Sequence, residues 1–448
     1  MSPRNNNLKL SNGTGRSLAC EQLEDRRLLA GNVSAVKAGS VLILTGDDLA
    51  NQIGVFRSAP GVIGVAGNAT NINGSASTKT FTGINSIVAD LRGGDDRLGL
   101  ASSLAAIQNL ILGGGSAADR LNLTGNVQVF AGGGNDTVGL AVGLGGSLLI
   151  DLGAGNDIAG IAHSNIAGTV QVLGQQGNDT IAMRNSSTNA VVFNGGSGND
   201  ELLLRDSTVK FNVAIYGLDG TDTVAVSGVS AHDILIDLGT GNDSAAVQGV
   251  NLRGSLIVLG GLGNDSIVID GGNNGGDMQL AEAENGVTAS QIAFDLIINA
   301  GLGSNQIHVG AAVVYEDDEE DDDYEDSEEN RVFTVATQSV QNVIVRRNVN
   351  ILGGELSDTV RVNNLSGAKN FWLETAGGND SVQLFNVHAA DLIFASLGAG
   401  NDSLSVLGIK TKKAIWLGGI GTDAFLAGGG NMIGKVQRKE FENIGTIT

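Results

Sequence analysis

Aspartate recurs along this chain as if on the rungs of a ladder. Turns of the Gly-x-Gly-Asn-Asp type place an acid at Asp136, Asp157, Asp179, Asp200, Asp222, Asp243 and Asp265, and again at Asp358, Asp380, Asp402 and Asp423. Within each group the neighbours lie 21 or 22 residues apart. A carboxylate is a hard oxygen ligand, so one in the same local turn of every repeat makes a row of candidate sites for a hard cation. A fixed period of that size marks one structural unit stacked many times.

Stacking supplies the reason such a column needs a partner. Adjacent parallel strands lie about 4.8 Å apart, which brings equivalent carboxylates to about that separation. Two unit charges there repel by about 1 kcal/mol in bulk water and ~3.5 kcal/mol at an effective dielectric of 20. Cations, protons or side chains splayed into solvent would have to relieve the repulsion. Calcium suits the pattern best, because it accepts six to eight oxygens in loose geometry and glycine turns offer carbonyls beside each acid. Magnesium demands tighter geometry, and the chain lacks the His and Cys clusters that favour zinc. The expected Ca2+ ligands are Asp136, Asp157, Asp179, Asp200, Asp222, Asp243, Asp265, Asp380, Asp402 and Asp423. The Glu355-Leu356-Ser357-Asp358 turn is eroded, as is Ser116-Ala117-Ala118-Asp119. An alternative stays open, in which Asn-Asp only shapes the turn and Asn156, Asn178 and Asn199 stack as a hydrogen-bonded ladder.

The elements that position these acids are strands. Residues two and four after the acid are apolar in repeat after repeat, as in Val138/Leu140, Ile181/Met183, Leu202/Leu204, Val224/Val226, Val360/Val362 and Leu404/Val406. Positions nine and seven before it are apolar too, as in Leu148/Ile150, Val170/Val172, Ile234/Ile236, Leu256/Val258 and Leu296/Ile298. Weaker copies follow Asp96 and Asp119, and two copies carry asparagine instead, Asn51 and Asn305. Two strands of period two per coil predict an all-β, single-stack parallel β-helix or β-roll solenoid over residues 41–448, of roughly 18 coils. Helix signals are nearly absent. A loop or degenerate coil is expected near 271–290, and an acidic solvated loop at 315–330.

Composition agrees. Glycine makes up 68 of 448 residues against two prolines, which fits many tight turns. No apolar run approaches the roughly 18 residues a membrane helix needs, so no membrane span is expected. The single Cys20 permits no disulfide within the chain. The net charge of −22 opposes nucleic-acid binding and favours cations or basic partners. Twelve of those charges lie between Glu316 and Glu329.

The stretch Gly260-Gly261-Leu262-Gly263-Asn264-Asp265-Ser266-Ile267-Val268 resembles the calcium-binding nonapeptide of RTX (hemolysin-type) repeats. The resemblance implies a right-handed β-roll that binds calcium between stacked turns of a secreted bacterial protein. One departure matters: tandem RTX repeats recur every nine residues with calcium turns on both sides, whereas here the motif comes once per coil. The opposite turns, such as Gly249-Val250-Asn251-Leu252-Arg253-Gly254, lack it. Residues 1–40 read as an export or sorting segment, largely disordered. Within it Glu21–Ala30 resembles the LEPR-XLL motif of exported bacterial surface proteins through Leu23, Glu24, Arg26, Leu28 and Leu29, with Asp25 in place of proline. A secreted, extracellular or cell-surface location follows from these resemblances.

The expected function is a non-catalytic structural or adhesive solenoid. The alternative is a β-helix that binds or cleaves polysaccharide, which would need outward acids and bases clustered on consecutive coils. Arg184 and Arg205 share one outward offset, but Lys210 is the only lysine between Lys79 and Lys369, and the four histidines fall in separate coils. The outward position eight before the acid is largely apolar: Val88, Ile111, Leu149, Val192, Leu235, Ile257, Ile297, Trp372, Phe394 and Ile415. Such a stripe predicts self-association or contact with a surface matrix, with Leu149, Leu235, Ile257, Trp372 and Phe394 at its centre.

Overall fold

A computed structural model describes residues 31–111, 118, 120–270, 289–310 and 343–446. One rung shows how the chain winds. After the Asp200 corner, Glu201–Arg205 forms a first strand. Asp206 turns the chain with φ of 46°, Thr208–Val209 forms a short second strand, and Val213–Asp219 a third that leads into the Asp222 corner. Each strand pairs in parallel with its counterpart one rung on: Glu201 with Thr223, Thr208 with Ser230, and Val213 with Ile234. The rung therefore has three strands, one more than expected. A two-residue strand is too short for alternation to reveal it.

Inward residues of all three strands merge into one core. Leu202, Leu204, Val209, Val213 and Ile215 are buried, and the same apolar cluster runs without interruption from Val33 to Phe425. No rung could bury its inward face alone, so stability comes from neighbours above and below. This is an all-β parallel solenoid of about 13 turns rather than roughly 18. Part of the difference arises because the steps from Asn51 to Asp96 and from Asp96 to Asp136 hold excursions instead of extra coils. Gln52–Ala59 stacks directly on Arg97–Ala101, and the residues between them include the antiparallel strands Val62–Gly67 and Lys79–Thr82.

The α-helix Leu104–Ile111 occupies another such step. It lies on the outer face of the first strands, and glycine makes the approach possible: a Cβ on Gly99 would stand 2.2 Å from Cγ2 of Ile107. Ile111, expected in the outward apolar column, belongs to this helix. Leu121–Leu123, expected to follow an aspartate turn, pairs with Val142–Leu144 in the column of short second strands. Asp119 itself lies outside the described residues, as do the glycine-rich stretch 271–288, the acidic run and the LEPR-XLL-like segment. Among the described residues the first strand starts at Asn32, within the expected N-terminal segment, where Asn32–Ala38 pairs with Val41–Thr45. None of the described helices is long and apolar enough to cross a membrane.

The outward column is in register but broken. Leu149, Val192, Leu235, Ile257 and Ile297 are half-buried, with Gln171 inserted between the first two. Asn350 then separates Ile297 from Trp372 and Phe394, whose rings stack with centroids 4.0 Å apart.

Candidate metal centre along the aspartate corner

In most rungs the corner is built on one glycine, while the Asn51 and Asp358 rungs carry Leu49 and Leu356 in its place. The residue two before each acid has φ between 119° and 154° at Gly134, Gly155, Gly177, Gly198, Gly220, Gly241, Gly263, Gly400 and Gly421, a region only glycine enters comfortably. Space forbids a side chain as firmly, since a Cβ on Gly198 would lie 2.0 Å from the Gly177 carbonyl oxygen. The position four before the acid is less demanding: Arg92, Gln175, Leu218 and Ala376 hold it with φ of 65–82°.

That backbone turns the acid inward. Asp96, Asp136, Asp157, Asp179, Asp200, Asp222, Asp243, Asp265, Asp358, Asp380, Asp402 and Asp423 are all buried, none more than 2% exposed. Splaying into solvent is thus ruled out as relief of their repulsion. One carboxylate oxygen of each acid accepts the backbone N–H of the acid one rung earlier. Asp157 Oδ1 lies 2.6 Å from Asp136 N, Asp179 Oδ1 2.8 Å from Asp157 N, and Asp200 Oδ1 2.8 Å from Asp179 N. The series runs unbroken from Asn51 N, held by Asp96, to Asp423 N, held by Glu442 Oε2 at 2.7 Å. Just outside it the asparagines form a second ladder of opposite sense. Asn135 Oδ1 accepts from Asn156 N, Asn156 from Asn178 N, and Asn178 from Asn199 N, each at 2.8 Å. The turn-shaping role and the buried carboxylate column therefore coexist.

The second carboxylate oxygen is the chemically open atom. Oδ2 of Asp96, Asp136, Asp157, Asp179, Asp200, Asp222, Asp243, Asp265, Asp380, Asp402 and Asp423 is buried without a hydrogen-bond partner. At ten of them loss of water pushes the acid up, against the opposing pull of the backbone N–H it accepts, and neighbouring carboxylates add to the rise at Asp96, Asp136, Asp157, Asp179, Asp222, Asp243, Asp380 and Asp402. Asp136, Asp157 and Asp243 rise to about 6, and Asp96, Asp179, Asp222 and Asp380 to about 7. Asp200, Asp265 and Asp402 move the same way. The walls around Oδ2 are bare in several rungs. A Cβ on Gly195 or Gly217 would approach Oδ2 of Asp200 or Asp222 to 2.4 Å.

A buried acceptor of this kind calls for a proton or a cation. Among the described residues no three His, Cys, Asp or Glu side chains converge, so a cation here would take one carboxylate per rung and its other oxygens from the backbone. That donor set is all oxygen and fits calcium rather than zinc. All ten aspartates expected as ligands occupy the column. Asp96 joins them with the same open oxygen, although its weak turn, Gly93-Gly94-Asp95-Asp96, left it aside. Glu442 gave no periodic signal at all, because it lies 19 residues after Asp423 and reaches the column with a longer side chain.

No protein-family model matches the chain, and no curated protein does. One solved structure it is similar to is described as a hyperactive, Ca2+-dependent, β-helical antifreeze protein from an Antarctic bacterium. The match has 17% identity and a TM-score of 0.34 over 72% of this chain and 78% of that one, a level that carries no argument about ligand or activity.

Proposed function

We propose that this chain is an RTX-like, calcium-stabilised structural solenoid that acts outside the cell or at its surface. The observation that carries the reading is the column of buried, partnerless Oδ2 atoms. Calcium would bring positive charge and a flexible shell of oxygen ligands to that column. Asp96, Asp136, Asp157, Asp179, Asp200, Asp222, Asp243, Asp265, Asp380, Asp402 and Asp423 would hold it, with carbonyl oxygens of the adjoining glycine turns. The reading is non-catalytic, since the carboxylates the repeat supplies are sequestered inside rather than grouped on an outer face. High free calcium outside cells favours an extracellular setting.

A thermal melt followed by circular dichroism tests it, with the full chain in EGTA and again in millimolar calcium. A large calcium-dependent gain in melting temperature or β-signal is expected. Identical melts would sink the calcium reading and leave the ladder as turn chemistry alone.

The adhesive half of the proposal rests on the half-exposed outward column, where Leu235, Ile257 and Ile297 sit in register on three successive rungs. We assign this face to self-association or matrix contact. Replacing Leu149, Leu235 and Ile257 by Thr should abolish any dimer detected by light scattering, and an unchanged mass would refute self-association through this face.

A further inference from the structure

The two asparagine rungs show what the aspartate rungs lack. Asn305 Oδ1 accepts Asp265 N at 3.0 Å, as an aspartate would, while its Nδ2 donates to the Gly303 carbonyl at 3.2 Å. Asn51 shares the second half of this pattern, with Nδ2 donating to the Leu49 carbonyl at 2.7 Å, although its Oδ1 accepts no hydrogen bond. The carboxamide nitrogen occupies the place of Oδ2 and carries a hydrogen to the carbonyl two residues back. A carboxylate in that place has none to give, and its Oδ2 is left without a partner. Asp358 escapes by another route: its Oδ2 accepts the Gly354 N–H at 2.7 Å.

We infer that each rung takes up calcium only where its inward side chain brings no hydrogen to the corner and receives none at Oδ2. Asn305 and Asp358 are consecutive rungs of the stack, joined by Asn305 N to Asp358 Oδ1 at 2.8 Å. They therefore split the column into two separately loaded arrays, Asp96 to Asp265 and Asp380 to Asp423. Asn51 likewise stands outside the first array. The inference rests on the calcium reading for the identity of the ion. The hydrogen count behind it is independent of any metal.

The same full chain serves as the test, as wild type, Asn305→Asp and Asp179→Asn. Bound calcium per chain is measured by atomic emission after equilibrium dialysis, and melting temperature is measured in EGTA at neutral pH. Asn305→Asp should bind about one more calcium and melt lower in EGTA, whereas Asp179→Asn should bind about one fewer and melt higher in EGTA. Asp402→Asn repeats the second arm in the other array, should Asp179→Asn not fold. A wild type that binds no calcium overturns the functional reading but leaves the EGTA arm decisive. If the asparagine variants melt no higher than wild type without metal, or if Asn305→Asp gains no calcium while wild type binds it, the inference is overturned.

Discussion

Two corners of the same rungs solve one problem with different atoms. At the corner opposite the aspartates, Ser164, Ser186 and Ser207 stack in three consecutive rungs and are buried. Ser186 Oγ accepts the Ser164 N–H at 2.9 Å and donates to the Arg184 carbonyl, two residues back, at 2.7 Å. Ser164 repeats the pattern with Val142 N and the Ala162 carbonyl. The aspartate corner accepts the neighbouring N–H in the same way but has nothing to donate. A hydroxyl closes the corner with its own hydrogen, and a carboxylate leaves it open to an outside charge. Other rungs place Val229, Val250, Val387 or Ile409 at the serine position, all fully buried. That corner is therefore free to become apolar, while the opposite one stays polar and demanding.

The sharpest way to separate the corners is pH without metal. Asp136, Asp157 and Asp243 have folded-state values of about 6, and Asp96, Asp179, Asp222 and Asp380 of about 7, against 3.8 for the free side chain, so the fold holds protons that the unfolded chain has released. Their stabilising contribution is fully present below about pH 4 and is lost as pH rises through about 7. Because many carboxyls act together, the EGTA melting temperature should fall by on the order of 10 °C between roughly pH 5 and pH 8. Calcium competes for the same oxygens as they lose protons, so in its presence the fall should vanish or reverse. A metal-free melt that rises across this range would contradict the burial of the acids.

A backbone substitution ranks next. Gly198→Ala forces an alanine to φ of 127° and drives its Cβ into the Gly177 carbonyl. The expected loss is about 3 kcal/mol or more in urea unfolding. Gln175→Ala, two residues before the obligatory Gly177, should cost less than about 0.5 kcal/mol, because that position already tolerates a side chain. Equal losses at the two sites would erase the distinction between the glycines. The smallest effect belongs to the serine corner. Ser186→Ala removes one acceptor and one donor and should cost about 1–2 kcal/mol, with the calcium-induced shift in melting temperature unchanged. A changed calcium response would mean that the two corners are coupled.

Much of this was legible beforehand, for a reason specific to solenoids. Inward positions such as Leu202 and Leu204, or Ile234 and Ile236, were read correctly because a strand has a strict period of two and each rung repeats the environment of the last. The acids were found because turn chemistry is local. Their burial was not, since a turn motif specifies φ and ψ but not which side of the corner its carboxylate faces. The short strand Thr208–Val209 was missed because two residues cannot show alternation. The helix Leu104–Ile111 and the hairpins after Asn51 were read as further coils because constant period was carried across gaps that the chain uses otherwise.

The sequence by itself determined the rung length, the apolar inward sets and the residue types allowed in the glycine corner, all of which depend on contacts within one coil. Tertiary structure alone decided who stands beside whom. Asp96 holds its hydrogen bond to Asp136 across 40 residues and Asn305 to Asp358 across 53, while neighbours elsewhere are 21 or 22 apart. Parallel backbone pairing, indifferent to how many residues separate two rungs in sequence, sets those neighbours, and only that stacking encloses Oδ2 without a hydrogen in every aspartate of the column but Asp358.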